Sequence, residues 1–460
     1  MTPDQFRRHG HEAIEWIAEF LENPGRYPVL PRVRPGELTD ALPATGPEAG
    51  EPMDRIVADF ERLVVPATTH WNHPGFLAYF ANSATAEGIL GELFTAALNA
   101  NGMLWKTSPA VTELEQVALR WLRQWSGLPE DWFGLIYDTA STSSMHAIAA
   151  AREAKDPHSR TEGARPGLVV YTSEQSHSSI EKGAIAVGIG QDYVRRIPID
   201  EEFRMRPDAL QAAIDVDLAE GLRPCCVTAT VGTTSTTSVD PVPAIADICE
   251  RHGIWLHVDA AYAGSAALLP ELRWAFAGCE RADSFVMNPH KWLLTPMDCS
   301  VFYTRHPEIL RRAFSLIPEY LQSAADPRAV NLMDYGVPLG RRFRALKLWF
   351  VLRSFGREGL AEVIRGHVRM AQDFAAAVDA HPCFERLAPA PFSVVNFRYK
   401  GSDEENRRIL EEVNATGEVF LSSTMLRGVF ALHLAIGNHA TGPEHVARAW
   451  ELVRRAAGVS

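Results

Sequence analysis

In SFVMNPHKWLL, residues 284–294, an apolar strand runs into Asn288, Pro289, His290, Lys291 and Trp292. A lysine just past a buried strand end is poorly placed to be a solvated charge. Desolvation disfavours its charged form and lowers its pKa, which favours the free amine needed to make an imine with an aldehyde. Most lysines are exposed, so Lys291 alone would read as a loop charge. Its companions elsewhere in the chain reverse that reading.

On both sides of this stretch, short apolar runs alternate with helical ones: LIY (135–137), LVVY (168–171), CCVTAT (225–230), IWLHV (254–258) and SVFY (300–303). The alternation predicts an α/β domain with a mainly parallel sheet and its active groups at strand ends. Ser108-Pro109 opens a strong helix, AVTELEQVALRWLRQW, that ends near Gly127. After about residue 345 the pattern loosens into long helices plus the alternating strand SVVNFRY (393–399), which predicts a smaller C-terminal α+β domain. At the N-terminus, Thr2, Pro3 and Gln5 fit a capping box, and Ala13, Ile14, Ile17, Phe20 and Leu21 recur at helical spacing. The Pro- and Gly-rich segment RVRPGELTDALPATGPEAGEP detaches that helix from the rest. A detached amphipathic helix needs another surface, which a partner subunit would supply. The expected division is an N-terminal helical dimerisation segment (1–75), a large domain (76–345) and a small domain (346–460).

Four further segments carry chemistry. In WLHVDAAYAGS (255–265), Asp259 ends an apolar strand and is followed by Ala260, Ala261, Ala263 and Gly264. A carboxylate there can keep a pyridinium nitrogen protonated, and small neighbours let a flat ring lie against the backbone; alone, the same Asp could simply cap a turn. In IYDTASTSSMHAIAAAREA (136–154), a strand leads through Ala140 and Ser141 into a helix, whose free N–H groups and dipole suit a phosphate. Ser/Thr capping is common, so this signal is weak alone, and His146 reads as structural. In YTSEQSHSSIEKGA (171–184), His177 can stack on a ring or move a proton near neutral pH. In TATVGTTSTTSVDP (228–241), Thr234 is the candidate for a polar contact to cofactor or substrate.

The chain has 460 residues, 46% of them hydrophobic, enough for more than one core. A net charge of −12 disfavours nucleic acid and anionic membranes as partners. The first residues, MTPDQFRRHGHEAIEW, show no secretion signal, and no run approaches the roughly 18–20 apolar residues of a membrane span. Six scattered cysteines without metal-ligand spacing read as reduced thiols of a cytoplasmic protein, with no metal.

Together the segments resemble the group II pyridoxal-phosphate (PLP)-dependent amino-acid decarboxylases, especially the aromatic-L-amino-acid decarboxylases. The likeness spans nearly the whole chain: THWNHPGFLAYF (69–80), TSPAVTELE (107–115), SHSSIE (176–181), HVDAAYAGSA (257–266), NPHKW (288–292) and PLGRRFRALKLWF (338–350). The resemblance implies the PLP-dependent transferase fold type I, with a mainly parallel seven-stranded sheet, and a homodimer embraced by the N-terminal arm. It implies that Lys291 binds the cofactor aldehyde, Asp259 pairs with the ring nitrogen, His177 stacks on the ring and Ala261 packs on its other face. It assigns the phosphate to Ala140, Ser141, Asn288 and His290, and the substrate side chain to Trp71, Tyr79, Phe80 and Met103. Two positions depart from the family. Its loop tyrosine, which controls protonation after carbon dioxide leaves, falls on Leu332 when counted back without gaps from Leu339, with Tyr335 three residues off register. Related enzymes with another residue there release an aldehyde using oxygen. Asn82 and Asn101 fall on pocket positions that are less polar in aromatic decarboxylases. The expected reaction is decarboxylation of an L-amino acid, aromatic by preference, to its amine; the alternative is oxygen-dependent formation of an aldehyde.

Overall fold

A computed structural model of the chain describes residues 1–316 and 329–459. Seven strands form one sheet: β1 (Phe133–Tyr137), β2 (Leu168–Ser173), β3 (Val194–Ile197), β4 (Arg223–Thr230), β5 (Trp255–Asp259), β6 (Ser284–Met287) and β7 (Ser300–Thr304). Their spatial order is β1-β7-β6-β5-β4-β2-β3. Only β7 runs against its neighbours; the other pairings are parallel. Strands β2, β5, β6 and β7 are buried along their whole length. Covered on both faces, they read in sequence as continuous apolar runs rather than alternating ones. The edge strand β3 was not among the expected runs. Its Arg195 and Arg196 pair outward with Asp217 and Glu181, so it lacks the apolar signature of the centre.

The helices show the expected end signals. Thr2 caps the helix Pro3–Glu22 in a reciprocal capping box with Gln5. The helix Pro109–Ser126 stops at Gly127, whose φ of 73° is the left-handed conformation that ends helices.

Four antiparallel strands form a second sheet, in the order β10-β11-β9-β8: β8 (Phe384–Arg386), β9 (Val394–Tyr399), β10 (Ser422–Leu426) and β11 (Val429–Ala435). Two helices joined at a kink at Gly356 (φ 63°) run over Arg344–Ala380 and link the two bodies. The first half of that run, with Leu348, Val351, Leu360 and Ile364, belongs to the large core. The second half, with Phe374 and Val378, packs on the small sheet. The change of core thus comes past Val368, later than a boundary at 345.

The sheet sets the site by direction alone. Strands β1, β2, β4, β5 and β6 point the same way, so the residues after Tyr137, Ser173, Thr230, Asp259 and Met287 converge at one edge. Open parallel sheets bind their ligands beyond these carboxyl ends.

Candidate active site

A cavity of about 340 Å³ opens at that edge. Its floor holds Lys291, delivered by the short helix Pro289–Trp292 that follows β6. Burial pushes the Lys291 ammonium down from its usual pKa, partly opposed by the Asp259 carboxylate. Its Nζ lies 5.0 Å from the centroid of the Phe80 ring. Asp259 ends β5, and its Oδ1 accepts the Ala261 N–H at 3.0 Å, which fixes the carboxylate beside the small Ala261.

Two histidines have assignable protons. The Ser179 N–H donates to His177 Nδ1 at 3.2 Å, with the Ser179 hydroxyl 2.8 Å from the same nitrogen. An N–H donor there makes Nδ1 the acceptor and leaves the proton on Nε2. Burial lowers the His177 pKa, with Asp259 opposing and Lys291 assisting. The Cys299 N–H likewise donates to His290 Nδ1 at 2.9 Å, leaving a proton on His290 Nε2. Burial pushes the His290 pKa down to about 4.

Thr139 caps the helix Ala140–Lys155, whose first turn opens on the cavity at Ala140 and Ser141. First-turn N–H groups have no acceptor inside a helix. Asn288 Oδ1 is buried without a hydrogen-bond partner. Such an orphaned atom beside unspent helix N–H groups, a buried amine, a carboxylate and two N–H-bearing imidazoles fits a phosphorylated pyridine aldehyde.

Residues 35–400 match the model of the pyridoxal-dependent decarboxylase conserved domain. The chain belongs to the pyridoxal-dependent decarboxylase family. Phenylacetaldehyde synthase of Arabidopsis thaliana is 40% identical over 99% of this chain and 96% of its own. Tyrosine decarboxylase 4 of Petroselinum crispum is 40% identical over 99% of this chain and 93% of its own. The crystal structure of Oryza sativa TDC with PLP and tryptamine superposes with a TM-score of 0.96 at 37% identity, covering 100% of this chain and 98% of that one. This chain is therefore a PLP-dependent amino-acid decarboxylase of fold type I.

In this decarboxylase Ala140, Ser141, His177, Thr234, Asp259, Ala261, Asn288, His290 and Lys291 all line one cavity, joined by Tyr79, Phe80 and Asn82. Trp71, Asn101 and Met103 do not line it. The Trp71 ring packs at a tilt on Phe76, centroids 4.3 Å apart, and its carbonyl is held by Asn438. Asn101 Oδ1 accepts the Arg341 N–H at 3.0 Å, and the Met103 carbonyl accepts the Met333 N–H at 3.2 Å. Both therefore face the 333–341 run. Leu332 and Tyr335 also lie elsewhere. Leu332 is 2% exposed in a cluster with Leu135, Tyr137 and Phe302, and the Tyr335 ring packs 4.8 Å from Phe133. Their side chains are spent on the core beside β1. His146 is likewise structural: it stacks on Tyr137 and accepts the Val337 N–H.

Thr139, Thr230, Gly232, Tyr262 and Met297 line the cavity without having been singled out. Thr230 had a signal, being the last residue of an apolar run. Tyr262 stands one place past Ala261, amid small residues, and its bulk carries no sign of a pocket position. Met297 has no sequence signal.

Proposed function

We propose that the enzyme decarboxylates an aromatic L-amino acid to its amine. The observation that carries this is the aromatic wall over the lysine: Phe80 covers Lys291 Nζ, and Tyr79 projects beside it, 55% exposed at the cavity. Relatives named for tyrosine and the tryptamine-bound structure support the same class. An aromatic substrate ring gains offset stacking against such a wall.

PLP, when bound, supplies an aldehyde and an electron-accepting ring that takes up the bond electrons as carbon dioxide departs. Lys291, whose charged form desolvation disfavours, would be the amine that meets the aldehyde. Asp259 holds a proton at the pyridine nitrogen. The N–H groups of Ala140 and Ser141 and the Nε2–H of His290 bind phosphate oxygens, with Asn288 and Thr234 adding polar contacts. With PLP bound, His177 would lie against the ring opposite Ala261, its Nε2–H serving as a hydrogen-bond donor in the cavity. Tyr79, Phe80 and Asn82 exclude water and orient the substrate side chain.

The working form is a homodimer. The helix Pro3–Glu22 has no buried residue, and Ile14, Ile56, Val57, Phe60, Leu93, Phe94 and Leu98 are exposed. Phe94 shares one helix face with Leu98, and an exposed apolar face of this kind calls for a covering surface. Residues 1–75 thus serve as a dimerisation arm. Asn101 and Met103, just past the exposed helix Ala86–Leu98, serve the neighbouring pocket rather than their own. Six free cysteines, five of them buried, suit the reducing cytoplasm. Among the described residues no helix is long and apolar enough to cross a membrane.

A second reading, oxygen-dependent conversion to an aldehyde, is favoured by the likeness to phenylacetaldehyde synthase. It draws no support from Leu332, which is core. Tyr320, the other tyrosine of that segment, lies outside the described residues. The test is a panel of aromatic and acidic L-amino acids, scored for amine, aldehyde, peroxide and carbon dioxide with and without oxygen, for wild type and Tyr320→Phe. Amine equal to carbon dioxide supports the first reading. Aldehyde and peroxide that vanish without oxygen would replace it with the second, and turnover of acidic substrates alone would overturn the aromatic assignment.

A further inference from the structure

One buried carboxamide holds both ends of the substrate wall. Asn438 Nδ2 donates to the Trp71 carbonyl at 2.8 Å and to the His73 carbonyl at 3.0 Å. Its Oδ1 accepts the Ser83 hydroxyl at 3.3 Å and the Ala440 N–H at 2.9 Å. Between those anchor points lie Tyr79, Phe80 and Asn82. Tyr79 has a φ of 51°, a left-handed conformation that non-glycine residues hold only under surrounding constraint. Part of that constraint is visible: the Tyr79 N–H donates to Ser422 Oγ, and its carbonyl faces His433 Nε2.

The same residue reaches the lysine turn. Trp292, next to Lys291, donates its indole N–H to His367 Nδ1 at 3.0 Å. An indole nitrogen only donates, so the His367 proton sits on Nε2, 3.1 Å from the backbone carbonyl oxygen of Asn438. Asn438, His367, Trp292 and Ser83 are each at most 2% exposed. The two ends also meet through rings: Phe80 stacks on Tyr262 at 4.0 Å, and Tyr262 on Trp292 at 4.7 Å. Wall and lysine are therefore joined by a stack on one side and by a hydrogen-bonded relay through the small domain on the other.

We propose that Asn438, acting through His367 and Trp292, is a positioning residue that sets the distance between the substrate wall and the Lys291 turn. Its consequence for turnover rests on the aromatic-substrate reading above. Asn438→Ala takes from the Trp71 carbonyl its side-chain donor and leaves the His73 carbonyl with the Phe76 N–H alone, so the start of the segment loses its tie to the small domain. A small displacement of a positioning element is costly because reacting atoms lose alignment.

The experiment uses the holoenzyme and two variants. Asn438→Ala should raise KM for the preferred aromatic amino acid about tenfold, with kcat and cofactor affinity changing less than about threefold. Trp292→Phe keeps the ring stack and removes only the N–H, and should shift KM in the same direction by less. Hydrogen exchange read by mass spectrometry should quicken in residues 69–83 of both variants and not in β2 or β4. This readout needs no substrate, so a wild type inactive on aromatic amino acids would overturn that reading and leave the relay tested. Unchanged exchange in 69–83, or quickening spread evenly over the chain, would overturn the proposal. So would equal losses in kcat and cofactor affinity.

Discussion

The floor of the active site and its wall are built by different means. The floor hangs on strand ends: β5 delivers Asp259, β6 delivers Lys291, and the helix after β1 delivers Ala140 and Ser141. Each of these residues sits within a few positions of an element whose direction the sheet fixes. The wall, from Trp71 to Met103, begins in irregular chain and is tied by long-range bonds to Ser422, His433 and Asn438 of the small domain. A floor of this kind tolerates changes in distant parts of the molecule, while the wall inherits every one of them.

The largest expected effect is on the floor. Lys291→Ala should abolish turnover, and the adduct of PLP that borohydride fixes in wild type should be missing from the variant's mass spectrum. A retained adduct would move the cofactor linkage to another amine. Next, Asp259→Asn should keep the fold and the cofactor but lower kcat by about tenfold to a hundredfold. A charged hydrogen bond is worth about 1.5–3 kcal/mol, and here it acts on charge that develops during reaction. Wild-type turnover would mean that the ring nitrogen has another partner.

The wall should yield to a change far from it. Removing residues 1–50 strips the helix bearing Ile14, Ile17, Phe20 and Leu21, each worth roughly 1.5–3 kcal/mol when buried. The expected products are weak dimers or aggregates in sedimentation. Activity should fall with dilution under the proposal that Asn101 and Met103 serve the partner subunit's pocket. A soluble monomer with full activity would place the whole wall in one chain.

This contrast also explains what the sequence could reveal. β2, β5, β6 and β7 were legible because strands buried on both faces are apolar throughout, and a polar residue at their ends stands out. Nine cofactor-side residues were placed in one cavity by that logic together with family likeness. Edge strand β3 was not, because its arginines pair with Asp217 and Glu181 and break the apolar run. Among wall residues Tyr79, Phe80 and Asn82 reach the cavity, whereas Asn101 and Met103 follow bonds to Arg341 and Met333 that no local pattern announces. Leu332 rests on a count without gaps, which presumes equal loop lengths, and its side chain packs in the core.

A smaller effect shared by both regions is acid lability. Burial pushes His257 and His290 on the floor side, and His73, His367 and His433 on the wall side, down to about 4. Between that value and the usual 6.5 the unfolded chain binds more protons than the folded one, so stability rises with pH across the window. The contribution is complete above 6.5 and is lost as pH falls toward 4. Melting temperature of the holoenzyme should therefore drop through this range, and His257→Gln should flatten the slope. An unchanged slope would show that this imidazole is already charged in the fold.

The smallest effect should come from Tyr335→Phe. If the ungapped register located the protonation control, Tyr335 would be its nearest tyrosine and its loss would shift product from amine toward aldehyde. The structure gives its side chain other work. The ring packs on Phe133, and its backbone carbonyl accepts the Tyr137 hydroxyl. A phenylalanine preserves both contacts. The ratio of amine to aldehyde should then match wild type, with and without oxygen. Leu332→Tyr should instead act on stability, since a larger side chain forced into the cluster around Leu135 and Phe302 costs about 1–3 kcal/mol. A lower melting temperature with an unchanged product ratio is the expected pair of results. A product shift in either variant would bring this segment back to the chemistry and would require a second arrangement in which 332–335 leaves the core.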